Sequence, residues 1–285
     1  MNYIRGISSI LGLAAISSGC SPQEVKFPDH VGFFDKNEQT RKEEPQTRGA
    51  VKVIEDKLKE EILDHTVRID VTVETLQYFG SIAGMDIGIP RLGKGVGSGI
   101  SLCGNYVLTA AHNIPGDTHK SMKVTRKKII VDKEYNAEVV KSEAAPVDLA
   151  LLKVECNDIH ECLKPYMGGF AEKVEIGDLV AGAGFPIGGE KTLFMGFAAG
   201  DEIISGKRHF INIDASISKG NSGGPAFAYV MEGNNNMSSH FIGIVHVLYK
   251  HKTGLAGITP LEKTKEFLKG SPAIECWEDL HLREL

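Results

Sequence analysis

Clustered positive charge is what this sequence most clearly lacks. Its 32 Lys and Arg are outnumbered by 37 Asp and Glu, for a net charge of −5 over 285 residues, and nowhere do the cations gather into a block. Without a basic face the chain has no electrostatic footprint for nucleic acid. Apolar runs long enough to cross a bilayer are also missing. The nearest is the stretch from Gly6 to Ser18, which follows a single positive charge at Arg5 and is too short to span comfortably. No internal repeat is present. Histidines such as His65, His119, His209 and His251 show no ligand spacing. Cys156, His160 and Cys162 come nearest to a metal set but lack a fourth ligand, so neither a metal nor a cofactor is expected.

What is present begins with a leader. One cation, then apolar and small residues over the first twenty positions, reads as a targeting segment. Ser18-Gly19 directly before Cys20 resembles the lipobox of bacterial lipoproteins, with Ser17 standing where that pattern prefers leucine. The resemblance implies lipidation of Cys20, a membrane partner through that lipid, and a place in the cell envelope. Periplasmic release or ordinary secretion is the alternative. In an oxidising compartment the remaining Cys103, Cys156, Cys162 and Cys276 allow three pairings. Cys156 with Cys162, across a short polar loop, is the expected pair, and Cys103 with Cys276 then follows by elimination.

Residues 21–50 hold KNEQTRKEEPQTRG and almost no aliphatic side chains after Phe34, a composition that cannot offset ordering entropy. They read as a disordered tether between residues 1–20 and a folded part at 51–285. VKVIEDKLKEEIL at 51–63 has helical spacing. From Thr66 the period becomes two, with Val67, Ile69, Val71 and Val73 alternating with polar partners. GVGSG leads into two apolar runs around Gly104-Asn105, a hairpin signal. Short strands then follow at SMKVT, KIIVDKEY, AEVVKSE, DLALLKV, DLVAGAGF, TLFMGFAAG, HFINIDAS and HFIGIVHVLYK. Strands at this spacing, separated by Gly, Pro, Asn and Asp, predict an all-β barrel or sandwich fold. Near the end, Pro260 and Gly270 bracket a helix over LEKTKEFL.

The stretch DASISKGNSGGP places one hydroxyl, Ser222, among Gly220, Gly223 and Gly224. A turn of this kind can converge backbone N–H groups on an oxyanion. A serine hydroxyl needs a general base, and the base needs an orienting group. His112 in VLTAAHNI and Asp148 in DLALLKV are the candidates. These three blocks, in the order His, Asp, Ser, resemble the active-site blocks of chymotrypsin-fold serine endopeptidases, of the bacterial HtrA/DegP-like and glutamyl-endopeptidase-like kinds. The resemblance spans about Thr66 to Leu268. It implies two packed six-stranded antiparallel β-barrels with a cleft between them, a protein or peptide substrate, His112 as base, Asp148 as its orienter, Ser222 as nucleophile, and the N–H groups of Gly220 and Ser222 as oxyanion donors.

Other positions narrow that expectation. Asn221 stands where trypsin-like zymogens carry an aspartate that pairs with a new N-terminal ammonium, and a neutral amide cannot form that pair. Ser216 is expected near the base of a specificity pocket, with walls from Ile244 to Val247 that include Val245 and His246. None is a carboxylate, so preference for Arg or Lys has no basis. His246 is one residue past the pocket histidine of glutamyl endopeptidases, an offset that turns it to the other face of a strand. After Ser222 only a strand pair, a helix and a tail remain, which leaves no room for the PDZ domain common in HtrA-like proteins. The rival reading is a catalytically weak binding or envelope lipoprotein on the same fold. A lipase or esterase is opposed by the His, Asp, Ser order on a strand-rich background.

Overall fold

A computed structural model describes residues 56 and 59–277, with breaks at 83–84, 104, 117–121, 145–146, 157–161, 172, 205–207, 233–235, 249–254 and 276. The expected leader, its Cys20, the tether and Cys276 lie outside the described residues.

The period-two segment from Thr66 forms β1 (Thr66–Ile82), followed by β2 (Met85–Cys103), β3 (Tyr106–Ala110), β4 (Met122–Val131), β5 (Tyr135–Glu143) and β6 (Leu149–Val154). These close into a barrel in the order β1-β2-β3-β6-β5-β4. Val67, Ile69, Val71 and Val73 point inward and are buried, as their alternation requires. β2 and β3 pair antiparallel with Cys103 opposite Tyr106, as the expected hairpin requires; Gly104 lies outside the described residues. KIIVDKEY, which reads as one strand, is instead broken at Asp132-Lys133, where both residues take left-handed backbone (φ 49° and 64°) and reverse the chain into β5. Asp tolerates that region, and the Asp132 carboxylate accepts the Arg68 N–H at 2.7 Å.

A second ring runs β11 (Pro225–Glu232), β8 (Leu179–Gly184), β9 (Thr192–Ile204), β10 (Arg208–Ala215), β13 (Leu255–Pro260) and β12 (Asn236–Leu248), closed by β11 against β12, with the short β7 (Gly169–Phe170) parallel to β12. The two closed six-stranded antiparallel barrels are those of the chymotrypsin-like fold. Helix α1 (Leu261–Leu268) starts after Pro260, buries Leu261, Phe267 and Leu268, and stops before Gly270, whose φ of 73° ends the helix. At the other end, where spacing predicts a helix over 51–63, the described residues show a helical Asp56 and a π-helical turn at Lys59–Leu63. Its Ile62 is buried, and its carbonyl accepts the Thr66 hydroxyl at 2.7 Å.

One apolar cluster joins the barrels. Leu108, Leu149 and Leu151 from the first meet Ala181, Phe227 and Phe241 from the second, with Trp277 against them. That shared core sets the ends of β3 and β6 beside the segment entering β11. Leu151 has no solvent exposure. Leu151→Ala is therefore expected to cost about 2–5 kcal/mol, read as a lower urea midpoint with an unchanged slope.

Candidate active site

The first barrel supplies two of the expected residues at one edge. Ala110, the last residue of β3, pairs with Leu149, the first of β6. The next turn of chain, a 3₁₀ turn over Ala111–Asn113, carries His112, and Asp148 immediately precedes Leu149. The Ala111 N–H donates to the Asp148 carbonyl at 3.0 Å, and the His112 N–H to Asp148 Oδ1 at 2.8 Å. The His112 ring sets Nδ1 2.6 Å from Asp148 Oδ2. Asp148 holds a left-handed backbone (φ 54°), a conformation that is costly for a side chain with a Cβ. It is repaid by the hydrogen bonds that this conformation aligns.

Asp148 is buried, whereas the His112 side chain is 45% exposed. Burial pushes the Asp148 carboxyl up. The hydrogen bond from the His112 ring and the contact from His246 outweigh it and lower the group to about 2. Asp148 is thus a carboxylate throughout the physiological range, and it holds the His112 ring with Nε2 free for chemistry.

The second barrel supplies the Ser222 turn, and the first barrel pins it. Ser98 on β2 donates its N–H to the Ser222 carbonyl at 3.0 Å and its hydroxyl to the Gly220 carbonyl at 2.6 Å. The Asn113 side-chain amide reaches the same Ser222 carbonyl at 2.7 Å, which ties the backbone of Ser222 to the residue beside His112. On the other side the Gly223 N–H donates to the Val245 carbonyl at 2.7 Å, and the Val245 N–H to Gly224 at 2.9 Å. Gly220 and Gly223 have φ of 98° and 86°, and an added Cβ would meet the Phe185 carbonyl and the Ser98 carbonyl respectively, each at 2.2 Å. No residue with a side chain fits either position.

Among the described residues, neither the Gly220 N–H nor the Ser222 N–H donates to a backbone carbonyl. The Asn221 N–H between them goes to Ser218 at 3.1 Å, and the Lys219 carbonyl accepts the Ile187 N–H at 2.6 Å. Two N–H groups without a backbone acceptor among the described residues thus stand at this turn, one of them on the half-buried serine itself. Among the described residues no hydrogen bond joins the Ser222 hydroxyl to His112; contacts of this kind tighten when substrate arrives.

Of the residues expected to shape a specificity pocket, Ser216 is exposed just beyond β10, and Val245 is buried in the core of the second barrel. His246 lies elsewhere. Its Nδ1 stands 2.5 Å from Asp148 Oδ2, off the line of an ideal hydrogen bond and with no other partner. Its ring stacks on Phe210, with centroids 4.9 Å apart and planes 8° from parallel. The cause is local: β12 bulges between Val245 and Val247 as it pairs with β13, so His246 leaves the pleat and turns to Asp148. The one-residue offset in the sequence signalled a different face, but not that the face belongs to Asp148.

His112, Asp148 and His246 are the one group among the described residues whose potential ligand atoms lie within 4.8 Å of one another. Their N···O separations are 2.5 and 2.6 Å. Donors around a tetrahedral zinc stand about 3.3 Å apart, given bonds near 2.0 Å. The contacts are closer than a tetrahedral zinc would leave them, and they suit a carboxylate facing two imidazoles. Away from it, His65 and His209 contact the Lys164 carbonyl and Asp201, and burial lowers the His65 pKa. Cys156 and Cys162 are disulfide-bonded, their Cα atoms 6.4 Å apart. Cys103 is also in a disulfide, and its expected partner lies outside the described residues.

Residues 97–232 match the family model described as trypsin-like peptidase domain. The chain is 27% identical over 175 residues to the "Probable periplasmic serine endoprotease DegP-like" of Hahella chejuensis, covering 60% of this chain and 33% of that one. It is 32% identical over 157 residues to the protein of the same name from Marinomonas sp., covering 54% and 30%. It is 32% identical over 160 residues to the chloroplastic Protease Do-like 2 of Arabidopsis thaliana, covering 54% and 24%. The chain thus spans a third or less of the length of these relatives. Among solved structures it resembles an HtrA-type protease with a decapeptide (TM-score 0.54, 19% identity, 75% of this chain and 64% of that one). It also resembles the Rv3671c protease of M. tuberculosis in its active form (TM-score 0.53, 17% identity, 76% and 84%). At these identities the likeness to solved structures is one of fold.

A carboxyl whose native pKa lies below its ordinary 3.8 adds stability that is present above the unfolded value and is lost as pH falls through about 2. Asp148→Asn is expected to lower unfolding free energy at neutral pH by roughly 2 kcal/mol. In urea melts the gap to the wild type should close between about pH 4 and pH 2.

Proposed function

We propose that this chain, which matches the trypsin-like peptidase domain model over residues 97–232, is a serine endopeptidase with His112, Asp148 and Ser222 as its triad. The observation that carries this reading is the His112 ring held 2.6 Å from the buried Asp148 carboxylate, beside a glycine turn with two N–H groups that lack a backbone acceptor among the described residues. Ser222 Oγ attacks a peptide carbonyl while His112 Nε2 takes its proton. The bond to the amine breaks as His112 returns that proton, leaving an acyl-serine. Water, deprotonated by the same nitrogen, then releases the acid and restores the hydroxyl. Asp148 stabilises the imidazolium formed in each half. The Gly220 and Ser222 N–H groups bind the negative oxygen of each tetrahedral intermediate, where one such donor is worth about 10²–10³ in rate.

The substrate class is protein or peptide, which agrees with the decapeptide in the structural relative's title. Export to the cell envelope is supported by the periplasmic name of two relatives and by the disulfide at Cys156–Cys162. Within that reading Cys20 is the lipid attachment point, residues 21–50 a tether, and residues 51–285 the catalytic domain.

Two measurements test this. Ser222→Ala is expected to abolish labelling by a fluorophosphonate and to lower kcat for peptide cleavage by about 10⁴ or more. A folded wild type that neither labels at Ser222 nor cuts any member of a peptide library would leave a protease-fold binding protein instead. Cys20→Ser is expected to abolish incorporation of radiolabelled palmitate and to move the protein from the membrane pellet to the soluble fraction. Palmitate retained by the variant would place the anchor elsewhere.

A further inference from the structure

We propose that His246 is a positioning residue that shares Asp148 with His112, so that the general base works at full strength only while both imidazoles are neutral. The inference rests on the triad reading above and adds a residue that the three-membered relay does not require.

The geometry fixes the proton. At 2.5 Å an unprotonated Nδ1 would set its lone pair against those of Asp148 Oδ2, so His246 carries its hydrogen on Nδ1, on the carboxylate's side though off the ideal line. Asp148 Oδ1 is occupied by the His112 backbone N–H. Oδ2 therefore receives both rings. Phe210 stacked beneath His246 and the bulge that presents it hold the ring in place, and its side chain and that of Asp148 are each only 7% exposed. Water does not stand in for this contact.

With Nδ1 committed, the base site left on His246 is Nε2. A proton gained there turns the ring into a cation against Asp148. That cation neutralises the charge Asp148 offers to the His112 imidazolium, and it repels that imidazolium across ring centroids 5.8 Å apart. The titratable groups facing His246 are Asp148, from the segment before β6, and His112, from the turn after β3. From β10 it meets Phe210, whose neighbour His209 turns to Asp201 instead. The bulge sits opposite Ile258 and Gly257 of β13, which carry no charge. One carboxylate thus faces two imidazoles and no other charged group among those named.

The test is the pH dependence of kcat/KM for the wild type, His246→Asn and His246→Leu on one cleaved peptide. Asn keeps a neutral N–H donor without a titrating ring, and Leu removes the donor. On a logarithmic plot the acid limb of the wild type is expected to reach a slope of two, and that of both variants a slope of one. The alkaline plateau is expected to fall about tenfold in the leucine variant and to be largely rescued by asparagine. A mere packing defect would lower all rates without changing the slope. Proton NMR supplies a readout independent of turnover: two low-field imidazole N–H resonances in the wild type, one of them lost in His246→Asn and both lost in Asp148→Asn. A slope of one in the wild type, slopes of two in the variants, or a single low-field resonance in the wild type would overturn the proposal. Loss of Ser222-dependent turnover alone, with both resonances present, would overturn the triad reading and leave the shared carboxylate standing.

Discussion

The carboxylate of Asp148 is the constraint around which the rest of this molecule is arranged. It is removed from water, yet it is held ionised by the backbone N–H of His112, by the ring of His112 and by His246. Burying a charge is costly unless it is paired and hydrogen-bonded. Every element that meets it must therefore arrive in register: β3 and β6 through the Ala110–Leu149 pair, β12 through its bulge, β10 through Phe210. A slip of one residue in any of these would leave an uncompensated anion in the interior.

This also explains why the residues around Asp148 break local rules. Asp148 itself takes a left-handed backbone, and β12 departs from its pleat at His246. Such departures concentrate where function asks for a particular geometry, and the surrounding packing over-determines them. Here the surrounding packing is the apolar cluster shared by both barrels, whose Leu149 directly follows Asp148 in the chain.

Much of the architecture was legible because it depends on short-range chemistry. The alternation in β1, the antiparallel pairing of β2 with β3, and the Pro260 and Gly270 brackets of α1 each appear in the structure where the residues predicted them. The glycines at 220 and 223 were readable for the same reason, since their φ values admit no side chain. What escaped was one local turn and the pairing of distant segments. KIIVDKEY carries a continuous β signal, and only the turn conformation of Asp132-Lys133 breaks it. The place of His246 depends on a bulge in the pairing of β12 with β13, a feature that no periodicity within β12 encodes. The anchoring of Ser222 by Ser98 and Asn113 spans 124 and 109 positions of chain respectively, and neither donor carries a local signature.

That anchoring makes the Ser222 turn hostage to chain completion. Ser98 and Asn113 emerge from synthesis long before the turn they hold, and His246 comes after it. Neither barrel alone holds the full set of groups, so under the proposed triad reading a growing chain could not cut itself or its neighbours until both barrels are complete and packed on the shared core.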